Sequence, residues 1–184
     1  MGKNWMGKEK YREIRPGRKP FKALYIKIAL FALGRAMQSA SNLDKNIKKE
    51  VETWPEGFTA MFKVLPRGPY ISWMKEKGNT LVYKGESITE DEADLVIYFK
   101  NMENAFLVFS AQAGTAQAFA EHRMSLKGDL AQAMSLTRCL NIVQTYLYPD
   151  IIAKMVFKRV PHIPLPKKLF YRLIIIVLGI PLGM

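Results

Sequence analysis

The sequence predicts an α+β fold, with helices packed against a sheet. Two changes of period carry this expectation. Apolar residues recur at helical spacing over residues 21–41 and again over 130–147, whereas across residues 57–100 the period is two. One more short alternating segment, residues 124–127, stands between helical stretches. With 184 residues, 49% hydrophobic and 24% charged, the chain is large enough to bury one core without disulfides or metal, with segments left over at its ends.

Taken in order, residues 1–20 are basic and polar, with Pro16, Gly17 and Pro20. They read as a mobile arm with Trp5 and Tyr11 as interfacial anchors. The first apolar run comes too late for a secretory signal. Met6 stands where a myristoylation motif wants Ser or Thr. Residues 21–41 read as a helix whose stripe is Phe21, Leu24, Tyr25, Ile28, Phe31 and Ala32, interrupted by Lys22, Lys27 and Arg35. Its uncharged run, residues 28–34, is far below the ~20 residues of a membrane span. Two readings follow: a helix packed on the core, or a basic amphipathic helix lying on a membrane surface. Residues 42–53 are polar and extend or cap it.

Four strands come next, at about 58–64, 70–75, 80–84 and 94–100. Pro66, Gly68 and Pro69 force the first turn and Lys77-Gly78-Asn79 the second, so the expectation is an antiparallel meander. Asn101 is a fair N-cap for the apolar run Ala105 to Phe109, which Gly114 breaks; residues 116–120 form a second short helix. After the strand at 124–127, Gly128 turns the chain. Asp129 and Gln132 make a capping-box pattern for a long helix ended by Pro149, with Leu130, Ala133, Met134, Thr137, Leu140 and Leu147 on its apolar face.

The formal charge of +12 is unevenly placed. Residues 1–35 carry +8, residues 154–184 carry +6, and the middle carries −2. Basic ends around a near-neutral centre point to a polyanion, either nucleic acid or an anionic membrane. The ends lack the aromatic-interleaved strands or recognition helix of a nucleic-acid binder, which disfavours that partner. The one cysteine, Cys139, allows no internal disulfide and fits a reducing, cytoplasmic setting. His122 and His162 belong to no cluster with metal-ligand spacing, and no cofactor motif is present. Glu90, Asp91, Glu92 and Asp94 read as a solvated acidic turn. No nucleophile sits with a base, so no enzymatic activity is expected.

The stretch 93–143 resembles the second half of a sterol carrier protein domain. The pieces that carry the resemblance are residues 94–99 opened by Asp94, residues 101–114, Ala118-Phe119-Ala120, residues 124–127, Gly128-Asp129, and residues 130–140. The meander at 58–84 fits the same pattern, so the resemblance spans about 42–148. One departure is Glu121-His122-Arg123, where that family often has glycine before the small strand.

The resemblance implies a five-stranded sheet covered by helices and enclosing an apolar tunnel, with extra helices at the two ends. It divides the chain into a basic arm and amphipathic helix (1–41), a lipid-binding domain (42–148), and a basic, apolar tail (149–184). It implies binding of a sterol, fatty acid, acyl-CoA or phospholipid, and transfer between membranes. The residues it places along the tunnel are Phe106, Phe109 and Phe119 from helices, Phe62, Ile97 and Phe99 from strands, and Met124, Leu126, Met134 and Leu140 on the far side. Flexible thioethers, among ten methionines in all, suit varied chains.

The last twelve residues are uncharged, too few to cross a bilayer and too apolar to hang in water. The tail either packs on this fold or on a partner subunit of a homo-oligomer, or dips into a membrane. Lys22, Lys27, Lys167, Lys168 and Arg172 are the cations expected to meet anionic head groups, at roughly 1 kcal/mol each near the surface. An accessory domain that senses lipid for a partner protein is the alternative reading.

Overall fold

The structure is a computed structural model that describes residues 19–147 and 165–182. The expected arm anchors Trp5 and Tyr11, the apolar segment 152–157 and His162 lie outside the described residues, as does the side chain of Lys167.

Helix α1 (Pro20–Leu43) leads through α2 (Lys45–Glu52) into β1 (Thr59–Val64), β2 (Tyr70–Glu76), β3 (Thr80–Gly85) and β4 (Leu95–Phe99). Helices α3 (Met102–Phe109) and α4 (Thr115–Ala120), strand β5 (Met124–Lys127) and helix α5 (Leu130–Leu147) follow. The fold class is α+β with a five-stranded mixed sheet, in the order β3-β2-β1-β4-β5.

The expected meander holds for β1, β2 and β3, which pair antiparallel. It fails for β4, which lies parallel to β1 with Phe62 opposite Ile97. The reason is legible in β4 itself. Leu95, Val96, Ile97 and Phe99 are all buried, the mark of a strand covered on both faces. To run parallel to β1, the chain must return along the sheet through residues 86–94. That strap covers a second small core of Met61, Ala93 and Val96, with Ile88 and Tyr98 packed against it.

The acidic segment is solvated as expected, with Asp91, Glu92 and Asp94 exposed, and it also clasps the strap in place. Glu90 accepts from Lys63 Nζ and from the Tyr98 hydroxyl. These hydrogen bonds hold its carboxyl below the usual carboxylate range, while burial and Glu90 together push the Tyr98 phenol up to about 12. Asp94 accepts from the backbone N–H and the hydroxyl of Thr59.

The other face of the sheet meets the helices. Phe62 stands edge-on to Trp73 and to Phe99, with ring centroids 5.1 and 6.0 Å apart. The Trp73 indole N–H donates to the Gly34 carbonyl at 3.0 Å and so ties the sheet to α1. Gly34 is needed there, because a Cβ would fall 2.4 Å from the Tyr83 ring. The two N-caps act as expected: Asn101 accepts from the Asn104 N–H and Asp129 from the Gln132 N–H.

In two helices the packed face departs from the apolar stripe read in the sequence. In α1 the core-facing residues are Ile26, Leu30, Leu33, Ala36, Met37 and Ala40. Of the two readings of the Phe21 stripe, packing on the core fails, since Phe21, Leu24 and Ile28 are 86%, 59% and 60% exposed. The helix carries two apolar stripes on nearly opposite sides, and the one rich in small residues packs. In α5 the buried face runs through Ala133, Leu136, Cys139, Leu140, Val143 and Tyr146, while Leu130 and Met134 point outward.

The described part of the tail packs on the fold. Helix α6 (Leu165–Ile174) continues through a π-helical segment (Ile175–Gly179) into a last turn. Tyr171 donates to the Leu43 carbonyl, Ile175 is fully buried, and Gly179 approaches Ser39 so closely that a Cβ would lie 2.5 Å from its hydroxyl. The outer side of this helix, with Leu169, Phe170, Leu173 and Val177, is open. No described helix is long and apolar enough to cross a membrane.

Burial pushes the Cys139 thiol up to about 12. At pH 8 a disulfide reagent is therefore expected to label Cys139 only after unfolding. Prompt stoichiometric labelling of the native protein would contradict its placement.

Candidate functional site

Three separated segments meet beside the N-terminal turns of α1 and leave an apolar cleft of about 860 Å³. Lys19, Pro20 and Ala23 come from the start of α1, Leu65 to Gly68 from the β1–β2 turn, and Asn101 to Glu103 from the start of α3. This volume falls within the ~300–1,000 Å³ of typical ligand sites. The walls are mostly carbon, from Leu65, Pro66, Ala23 and Met102.

Local sequence sets each wall. Pro20 begins α1, where its missing N–H costs nothing. The turn curls back on itself because Gly68 donates to the Val64 carbonyl at 2.8 Å. No larger residue fits there, since a Cβ on Gly68 would lie 2.6 Å from that of Val64. Asn101 caps α3 and orients Met102 and Glu103 at its first turn. Glu103 then bridges the two helices, accepting from Lys19 and, at 2.6 Å, from Lys22. These two hydrogen bonds hold its carboxyl below the usual range.

The cleft is one end of a longer groove. A hollow of about 420 Å³ adjoins it and shares Ala23, Arg67 and Gly68. A third hollow follows, against Leu30, Phe31 and Tyr83. Leu24 and Phe31 therefore belong both to the groove and to the exposed stripe of α1.

Nine of the ten residues expected along a tunnel are buried in the main core or packed against it. Phe62, Ile97, Phe99, Phe109, Met124 and Leu140 belong to the main core, with Phe106, Phe119 and Leu126 packed against it. Phe99 and Phe109 stand 5.0 Å apart and Phe106 meets Tyr25 at 5.2 Å. Met134 does not join them; it is 53% exposed, because α5 turns its Leu136 and Leu140 side inward. None of the ten lines the cleft.

The cations expected at a membrane also separate. Lys27 is exposed on the groove. Lys22 is tied to Glu103 and sits 4.9 Å from the Phe106 ring. Lys168 is buried, and Arg172 donates to the Tyr146 and Thr145 carbonyls at the end of α5. That position suits a cation meeting carbonyls in the last described turn of a helix. His122 is exposed in the turn before β5, with a left-handed φ of 54°.

No protein-family model and no curated protein matches the sequence. Among solved structures the chain is similar to a ubiquinone synthesis protein, UbiJ-SCP2, with 12% identity, 67% of this chain and 99% of that chain covered, and a TM-score of 0.42. It is also similar to the apo form of sterol carrier protein 2 from Yarrowia lipolytica, with 14% identity, 60% and 86% coverage and a TM-score of 0.41. A third similarity is to the sterol carrier protein domain 2 of Helicoverpa armigera, with 18% identity, 81% and 100% coverage and a TM-score of 0.39.

Proposed function

We propose that this protein binds a lipid chain in the cleft beside α1 and exchanges it with an anionic membrane on which the outer stripe of α1 rests. The observation that carries this reading is the continuity of the two surfaces. An apolar cleft of ligand size leads along a groove to Leu24 and Phe31, which also belong to an uncovered apolar stripe. Monomeric proteins rarely expose such contiguous apolar area without a use for it.

Each methylene moved from water into the cleft contributes about 0.8 kcal/mol, so a long chain binds without specific contacts. No bond needs to form or break, and the proposed role is binding rather than catalysis. The +8 charge of residues 1–35 draws this end of the molecule to anionic head groups on the cytoplasmic side of a membrane. Sterol, acyl-CoA and phospholipid remain ligand classes for the same test.

The reading as an accessory domain has one observation in its favour, the open apolar side of α6. A partner protein, or a second copy of the chain, seated there would leave the cleft free to sense lipid.

The test is extraction and displacement. Protein purified from cells is expected to release lipid into organic solvent, and the delipidated protein to bind a fluorescent fatty acid that unlabelled fatty acids displace. Absence of both co-purifying lipid and saturable binding would overturn the proposal.

A further inference from the structure

We infer that Arg67 and Lys27 hold the anionic oxygen head, a carboxylate or a phosphate, of an acyl chain in the hollow next to the cleft. This rests on the reading of the cleft as a lipid site and adds the residues that recognise the head.

The geometry divides the groove into two unlike parts. The cleft proper is carbon-walled. The adjoining hollow carries Lys27, Arg67, Glu86 and Tyr70, and Arg67 stands on the boundary, lining both. A tail on the apolar side thus brings its head to Arg67.

The cations on the apolar side are already engaged. Lys19 and Lys22 both bond Glu103, which fixes their ammonium groups in ion pairs. Arg67 and Lys27 form no ion pair among the described residues. The close approach of Gly68 to Val64 fixes the turn that presents Arg67. A guanidinium matches a carboxylate or phosphate with two parallel hydrogen bonds, and an ammonium beside it adds a point charge. Glu86 opposes an anion in the same hollow, so two cations face one carboxylate there. Its removal should strengthen binding, a change of sign that damage to the fold would not produce.

The test measures binding of palmitate and of 1-hexadecanol to the full chain at pH 8, by displacement of an uncharged fluorescent probe. The two ligands share a chain and differ in charge. Wild type is expected to prefer palmitate by about tenfold, and Lys27→Ala with Arg67→Ala to lose that preference while holding hexadecanol as before. Glu86→Gln is expected to tighten palmitate about two- to threefold. Hexadecyl phosphate in place of palmitate tells whether a phosphate or a carboxylate head is preferred; either preference supports the inference. Equal affinity of wild type for acid and alcohol would overturn the inference and leave the lipid site standing. So would an equal loss of both ligands in the double variant, or inorganic phosphate competing as well as palmitate. No binding of any of these chains by wild type would overturn the lipid reading itself, and the inference with it.

Discussion

Replacing Trp73 with alanine is expected to lower the stability of the fold by about 3–5 kcal/mol, a large share of the ~5–15 kcal/mol of a typical domain. Trp73 is fully buried at the centre of β2. Three things are lost together: the volume of the indole, its edge-on contact with Phe62, and its hydrogen bond to the Gly34 carbonyl. The last loss removes a buried hydrogen bond worth about 0.5–1.5 kcal/mol, while the Gly34 carbonyl keeps its place in the α1 ladder. Urea unfolding followed by far-UV circular dichroism measures the effect. A loss below about 1 kcal/mol would place Trp73 outside the core.

The second large effect is on membrane contact. Leu24→Glu together with Ile28→Glu is expected to reduce partitioning onto anionic vesicles by about 100-fold or more, since each apolar side chain contributes about 1.5–3 kcal/mol when buried and each new charge is repelled by roughly 1 kcal/mol. Stability should change little, because both side chains already face solvent and their replacement opens no cavity. Co-sedimentation with phosphatidylserine vesicles reads the loss directly. Leu169→Glu with Leu173→Glu on α6 serves as the comparison. If that pair abolishes sedimentation and the α1 pair does not, the membrane side of the molecule is the tail.

The sequence made the elements of this fold readable and left their partners obscure. The helices at 21–41 and 130–147, the strands and the two caps at Asn101 and Asp129 follow from local pattern, because periodicity and capping are local physics. The pairing of β4 with β1 was missed, although the nearly unbroken apolar run Leu95 to Phe99 is the signal of a central strand.

The sequence leaves the orientation of α1 open because two stripes compete and the larger residues lie on the exposed one. Gly34, Ala36 and Ala40 were the better guide, since small residues mark the face that approaches another element closely. The cleft was beyond local reading. Its walls come from positions near 20, 66 and 102, and Pro66 and Gly68 read only as a turn until the fold brings α3 beside them. The membrane cations illustrate the same limit. Arg172 and Lys27 look alike in sequence, yet one donates to a carbonyl of α5 and the other lines an open groove.

The central claim is that a lipid chain occupies the cleft beside α1, and a photoreactive fatty acid tests it most directly. A palmitate analogue bearing a diazirine in its chain is bound to the full-length protein, irradiated, and located by peptide mass spectrometry. Labelling is expected on Ala23, Leu65 or Met102, and an excess of unlabelled palmitate should suppress it. Saturable labelling confined to other surfaces, or labelling that palmitate does not suppress, would contradict the assignment of the site.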